Sequence, residues 1–156
     1  AAEITDNVIE AMNSGKYRFI RVNFANGDMV GHTGVFPAVQ IAVETVDLCL
    51  GRLIPAAQAA GAILVISADH GNSDDMYEHA KDGSVIKDKA TGRPKARTAH
   101  SLNPVPAIIY DPSNAAGVKL TDKKGLGISS LAATCLNLIG YQTPEGYDPS
   151  LLEIGS

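Results

Sequence analysis

Two short segments made almost wholly of apolar residues constrain the fold of this chain most. Residues 62–67 read AILVIS and residues 105–110 read VPAIIY. A strand that is apolar at nearly every position has to be covered on both faces, as in a parallel sheet with helices on either side. Helical patterns precede and follow these segments. The sequence therefore predicts an α/β fold, built as a layered, mostly parallel sheet.

Apolar residues recur with helical spacing in three other segments. Residues 3–14 and 127–139 each predict a helix, and a longer helix is expected at 36–59. Pro55 predicts a kink or a restart within the long helix. The stripe expected to be buried on that helix consists of Val39, Val43, Val46, Leu50 and Leu53.

The remaining segments predict one more strand and two irregular regions. Residues 17–24 are rich in β-branched and aromatic side chains and predict a strand, whereas turn formers and glycines at 25–34 predict a loop. The polar stretch 71–99 is interpreted as a solvated β-hairpin, with His79 solvated and without a partner. A sheet of three strands is small, which suggests that the chain is one part of a larger domain.

Composition argues against several classes of protein. Acidic and basic residues are interspersed and the net charge is −4, which does not favour a nucleic-acid-binding surface. No apolar run approaches the roughly 20 residues that a membrane-spanning helix needs. Cys49 and Cys135 lie far apart in helical patterns and are expected to be buried, reduced thiols. Reduced thiols favour a cytoplasmic location.

Five polar residues lie near the ends of the predicted strands, where ligands bind in open α/β sheets. They are Asp28, His32, Asp69, His70 and His100. Carboxylates and imidazoles without cysteine suit Mn²⁺, Zn²⁺, Co²⁺ or Mg²⁺, and five ligands suit two ions better than one. Asp28 and His32 converge if their segment forms one helical turn. His100 precedes its strand, so the long loop is expected to return it to the same edge.

The same residues have simpler interpretations. A single histidine is more often a surface residue than a ligand, and Asp28 could cap a helix. The sequence Asp69-His70-Gly71 is also a common way to form a turn after a strand. Residue types and spacing therefore leave both a metal site and a structural role open.

Three motifs in order add a family resemblance. Residues 22–34 read VNFANGDMVGHTG, residues 67–72 read SADHGN, and residues 98–106 read TAHSLNPVP. Together they resemble the signatures of the cofactor-independent phosphoglycerate mutases of the alkaline phosphatase superfamily. The resemblance extends over nearly the whole chain and implies an alkaline-phosphatase-like domain.

The resemblance implies a function and the roles of five residues. Enzymes of this family are isomerases that interconvert 3-phosphoglycerate and 2-phosphoglycerate in glycolysis and gluconeogenesis, through a phosphoserine and two divalent ions, commonly Mn²⁺. By resemblance, Asp28, His32 and His100 bind one ion, and Asp69 and His70 bind the other.

The resemblance also leaves parts of the enzyme unaccounted for. The family's nucleophilic serine, a further aspartate ligand and the substrate-binding arginines match nothing here, so no catalytic nucleophile is assigned. Residues 1–156 are therefore expected to be the C-terminal portion of the metal-binding domain, inactive alone. The expected partners are the missing N-terminal segment or a second copy of the chain at an exposed sheet edge.

Two other functions remain open from the sequence. Another enzyme of the alkaline phosphatase superfamily, such as a phosphopentomutase or a phosphohydrolase, would share the metals and the fold. A non-enzymatic α/β module that binds a partner chain would keep the fold, and its histidines would be structural.

Overall fold

Helices provide most of the regular secondary structure in the part of the chain that is described. A computed structural model describes residues 1–114 and 117–153. Its elements, in chain order, are α1 (Ala2–Asn13), α2 (Asn26–Gly31), α3 (Phe36–Ala60), β1 (Leu64–Ser67), β2 (Ala107–Tyr110) and α4 (Ser130–Leu138). The three helices predicted from apolar spacing are confirmed as α1, α3 and α4. Pro55 lies inside α3 and does not interrupt it.

The described residues form two compact units. One comprises Ala1–Asp6, Val22–Arg52 and His70–Val105. The other comprises Asn7–Arg21, Leu53–Asp69 and the segment that starts at Pro106. The candidate ligands Asp28, His32, His70 and His100 all belong to the first unit, and the β1–β2 sheet belongs to the second.

The buried stripe of α3 differs slightly from the predicted one. Val39 and Leu53 are buried as expected, but Val43 is 46% exposed. Small side chains complete the stripe instead, at Ala42, Cys49 and Ala57. The helix still exposes large apolar residues, including Ile41 and Leu48. Both cysteines are free thiols, and Cys135 is only half-buried.

The two apolar strands pair with each other in the opposite sense from that expected. β1 and β2 are antiparallel, with Leu64 opposite Tyr110 and Ser67 opposite Ala107. The predicted parallel pairing is therefore wrong for these strands. Parallel neighbours need a crossover, which is usually a helix, and the connection 68–106 contains none. The predicted burial of both strands is wrong as well, since β1 is only half-buried and Ala107 and Ile108 of β2 are exposed.

Two predictions about the N-terminal half are also wrong. Residues 17–24 form no strand, because a strand requires a hydrogen-bonded neighbour and no described segment pairs with them. Residues 25–34, predicted as a loop, contain the short helix α2. Helix formation here satisfies the condition under which Asp28 and His32 were expected to converge.

The excursion 71–99 is a folded set of turns with three extended arms. Glu78 N–H donates to Lys95 O over 2.9 Å, Lys95 N–H to Ile86 O over 2.8 Å, and Ile86 N–H to Glu78 O over 2.8 Å. These bonds join three short extended segments to one another in antiparallel pairs, whereas a simple hairpin has only two such segments. His79 is not without a partner, since its Nδ1 lies 3.4 Å from Asp75 Oδ1.

Candidate metal centre

Helix α2 places Asp28 and His32 side by side. The two residues are four apart, which puts them on the same face of one helical turn. Their backbones are joined by the bond from His32 N–H to Asp28 O, at 3.1 Å. The side chains meet as well, with His32 Nε2 3.1 Å from Asp28 Oδ1.

His100 completes a triangle of possible ligand atoms. Its Nε2 lies 3.0 Å from Asp28 Oδ1 and 3.3 Å from His32 Nε2. His100 lies 72 positions after Asp28 in the sequence. The excursion brings it back, because Gly71 and Ser101 form an antiparallel bridge at its base. The long loop thus brings His100 to Asp28 and His32, two of the other candidate ligands.

The hydrogen bond of His32 fixes which of its nitrogens can bind an ion. Nδ1 lies 2.6 Å from the carbonyl oxygen of Thr98, which can only accept, so Nδ1 carries the proton. In a neutral ring Nε2 then presents its lone pair to Asp28 and His100. Ligating histidines are commonly held in this way by a backbone carbonyl.

The three atoms fit one bound cation. Ligand bonds of about 2.0–2.2 Å put neighbouring donor atoms roughly 3.0–3.4 Å apart, and the three edges here measure 3.1, 3.0 and 3.3 Å. One proton on His100 can be shared with one acceptor at a time, whereas a cation at the centre would satisfy all three atoms. The donor set is therefore suitable for a divalent metal ion.

His70 lies beside this triangle and has a different orientation towards it. Its Nε2 is 3.7 Å from Asp28 Oδ1, and its ring stacks on that of His100 with centroids 3.6 Å apart and planes inclined by 14°. The possible ligand atoms of Asp28, His70 and His100 all lie within 4.8 Å of one another. An imidazole binds an ion in its own plane, so two stacked rings suit two neighbouring ions better than one shared ion.

Asp69, the fifth predicted ligand, lies in a different part of the fold from the other four. It is exposed, comes two residues after the end of β1, and belongs to the second compact unit. Its role as a ligand stays a prediction.

Asn72 supports the centre and was not singled out from the sequence. It is 7% exposed, and its Nδ2 donates to Asp28 Oδ1 over 3.1 Å. Partial burial raises the pKa of Asp28, but the hydrogen bonds from Asn72 and His100, together with the electrostatic effect of His32 and His70, outweigh burial and lower it. Hydrogen bonding thus favours the ionised form of the carboxylate, which is the form that binds a cation. Only the position of Asn72 after the Asp69-His70-Gly71 turn could have indicated this role.

Carboxylate and imidazole side chains that converge in this way are a donor set typical of metal-dependent proteins. The comparison with protein families agrees, since the model of the Metalloenzyme superfamily matches residues 1–143. The chain belongs to the Metalloenzyme superfamily.

Relatives within this superfamily carry a common name. The chain is 45% identical over 151 residues to the probable 2,3-bisphosphoglycerate-independent phosphoglycerate mutase of Leptospira interrogans, covering 96% of this chain and 27% of the relative. It is 43% identical over 153 residues to the Trypanosoma brucei mutase of the same name, covering 97% of this chain and 28% of the relative.

A solved structure shares the fold. The chain matches Leishmania mexicana phosphoglycerate mutase, crystallised at low cobalt concentration, with a TM-score of 0.93 and 42% identity over 99% of this chain and 28% of that one. The predicted α/β, alkaline-phosphatase-like class is confirmed. The chain spans little more than a quarter of the length of each of these relatives. No helix in 1–114 or 117–153 is both long and apolar enough to cross a membrane.

Proposed function

We propose that this chain is the C-terminal part of the metal-binding domain of a cofactor-independent phosphoglycerate mutase, an isomerase. The full-length protein would interconvert 3-phosphoglycerate and 2-phosphoglycerate through a phosphoserine. The names of its relatives support this activity. The observation that carries the proposal is the triangle of Asp28, His32 and His100, whose edges of 3.0 to 3.3 Å suit one ion.

The residues of this chain would hold two ions. Asp28, His32 and His100 would bind the first through Oδ1 and two Nε2 atoms, and Asp69 and His70 would contribute to the second. Bound ions of this kind neutralise phosphate oxygens while a phosphoryl group moves. Thr98 would keep His32 in the ligating tautomer, and Asn72 would hold Asp28 ionised. The nucleophilic serine would come from elsewhere in the full-length protein.

We propose Mn²⁺ as the ion in both positions. A shell of two carboxylates and three imidazoles provides only oxygen and nitrogen, which suits Mn²⁺ and also Co²⁺, Zn²⁺ or Mg²⁺. The crystal structure of the Leishmania mexicana mutase was obtained at low cobalt concentration, which supports a divalent transition metal for this chain.

The 156-residue chain alone would not turn over phosphoglycerate. It offers at most five of the ligands and has no serine that matches the expected nucleophile. Its partner would be the rest of the mutase, or a second copy that pairs with an exposed edge of the sheet. The proposed location is the cytoplasm, where the glycolytic substrates are found.

Elemental analysis tests the metal centre directly. We would load the chain with Mn²⁺, remove unbound ion and measure metal per chain for wild type, His32→Ala and His79→Gln. We expect stoichiometric metal in the wild type and in His79→Gln, whose histidine lies outside the triangle, and a loss in His32→Ala. A non-enzymatic module would hold no stoichiometric metal in any of the three proteins.

The mutase activity needs a separate test. The wild-type chain should show no interconversion of the two phosphoglycerates, whereas the full-length protein should, and its activity should be lost in His32→Ala. An active full-length His32→Ala protein would contradict the proposal.

A further inference from the structure

We propose that Arg97 and Asp75 are positioning residues that together hold His100 in its ligating position. The inference rests on the proposed role of His100 as a metal ligand, and it concerns two residues of the excursion that touch none of the proposed ligand atoms.

Arg97 connects Asp75 to the backbone of His100. Its Nη1 donates to Asp75 Oδ2 over 3.0 Å, and its Nη2 donates to the carbonyl oxygen of His100 over 3.1 Å. The side chains of Arg97 and Asp75 are 33% and 18% exposed, so solvent screens this contact less than it would at the surface. One guanidinium therefore joins a carboxylate directly to the residue that carries the imidazole.

The geometry requires an arginine. A guanidinium presents its donors in a rigid, planar fork, whereas a lysine offers one compact charge that cannot reach both acceptors in the same way. The backbone of Arg97 is fixed too, because its N–H donates to the carbonyl of the buried Met76 over 2.9 Å. The fork is thus anchored at both ends of the side chain.

The residue after His100 is also attached, so loosening of His100 would strain the hydrogen bonds of its neighbour Ser101. Ser101 N–H donates to Gly71 O over 2.8 Å, and Ser101 Oγ donates to Asp74 Oδ2 over 2.9 Å. The adjacent carboxylates Asp74 and Asp75 therefore fix the chain just after His100 and, through Arg97, the carbonyl of His100 itself. Movement of His100 away from Asp28 would break one of these two attachments.

Asp75 also neutralises the positive charge of Arg97. A guanidinium near the proposed ions would repel them if it were not neutralised. Asp75 neutralises it at 3.0 Å, and the only other basic side chain paired with this carboxylate among the described residues is His79, at 3.4 Å from Oδ1. Asp75 thus permits Arg97 to hold His100 without opposing metal binding.

The test compares Arg97→Lys and Asp75→Asn with a matched control, Lys95→Ala. Lys95 forms an exposed ion pair with Glu78 on the same excursion, at 2.8 Å, and does not touch His100. Each protein is titrated with Co²⁺, recording affinity and the visible absorption spectrum of the bound ion. Amide exchange at Ser101 is measured in the metal-free protein, and urea unfolding verifies that each variant is folded.

We expect Arg97→Lys and Asp75→Asn each to weaken Co²⁺ binding about tenfold or more, as loss of a group that orients a ligand does elsewhere. The Co²⁺ spectrum should shift, and Ser101 should exchange about tenfold faster. The double variant should lose little more than either single variant, because both break one connection. Lys95→Ala should match the wild type throughout.

Wild-type affinity, spectrum and Ser101 exchange in Arg97→Lys would overturn the inference. If Arg97→Lys does not fold, the same three measurements on Asp75→Asn decide. If the wild-type chain binds no Co²⁺, the proposed metal centre fails, and Ser101 exchange alone then decides whether the two residues position His100.

Discussion

Gly31 and Asn72 lie in direct contact, and no larger residue fits at Gly31. A Cβ added there would overlap the side-chain amide of Asn72, whose Cγ would be only 2.6 Å away. Asn72 is buried and donates to Asp28, so it cannot move aside without giving up that bond. The last residue of α2 is therefore linked to the ionisation of Asp28 in the same helix.

Replacing Gly31 with alanine should weaken both the fold and the metal centre. We expect Gly31→Ala to reduce the free energy of unfolding by about 1–3 kcal/mol, because the amide is displaced and its charged hydrogen bond is lost. Mn²⁺ affinity should fall as well. Urea unfolding and calorimetric titration would measure the two effects.

Gly51 provides the control, because it lies in α3 and an added Cβ would meet nothing within 4 Å. Gly51→Ala should raise stability by about 0.5–1 kcal/mol, the usual gain inside a helix. A Gly31→Ala protein as stable as the wild type, with unchanged Mn²⁺ affinity, would show that the contact is unimportant.

The two proposed ion positions should differ in affinity. His100 belongs to the triangle with Asp28 and His32, whereas His70 lies 3.7 Å from Asp28 and has fewer ligands in this chain. We expect His100→Ala to lower Mn²⁺ affinity at least about tenfold more than His70→Ala does. Titration calorimetry on both variants measures the ratio, and equal losses would contradict this ranking.

Metal affinity should fall in acid. Two of the three atoms in the triangle are imidazole nitrogens, which cannot bind an ion once they are protonated. We expect Mn²⁺ affinity to decrease steadily as pH falls through the range in which imidazoles gain a proton. Calorimetric titration at several pH values measures this, and a pH-independent affinity would argue against histidine ligands.

Asp74 should make stability depend on pH at a lower range. Partial burial raises the pKa of Asp74, but hydrogen bonds from Asn103 and Ser101 outweigh it and lower the pKa. Stability from a lowered pKa is fully present above the unfolded value of about 3.9 and is lost as pH falls through the folded value. The contribution should be below about 1 kcal/mol, because the residue is exposed.

Urea unfolding of wild type and Asp74→Asn between neutral and acidic pH would measure this contribution. The wild type should be the more stable protein at neutral pH, and the difference should close in acid. Asp47→Asn, which changes an exposed residue of α3, provides a control for the loss of one charge. A gap between wild type and Asp74→Asn that widens in acid would have the wrong sign.

The edge of the small sheet should promote association. β1 and β2 pair only with each other among the described strands, and Ile108 is 50% exposed. We expect the chain to dimerise as its concentration rises, and Ile108→Lys to reduce this, because a charge on an edge strand opposes pairing. Light scattering over a range of concentrations measures it, and a monomer at high concentration would contradict the prediction.

The sequence was sufficient to predict features that depend on local pattern. Apolar spacing located α1, α3 and α4, because the period of a helix is written into neighbouring residues. The spacing of Asp28 and His32 predicted their convergence on one helical turn, which α2 provides. Five candidate ligands were identified from residue type and motif, and four of them lie in the same compact unit.

Tertiary structure decided everything that depends on which distant segments meet. Strand direction followed from the connection 68–106, and residues 17–24 formed no strand because strands depend on partners. Asp75 and Arg97 carry no local signal, and Asn72 carries only its position after a turn, since each acts on a residue that another segment or a turn brings to it. The period of a helix is set by neighbouring residues. The pairing of strands, and the contacts that hold a candidate ligand in place, depend on how the whole chain folds.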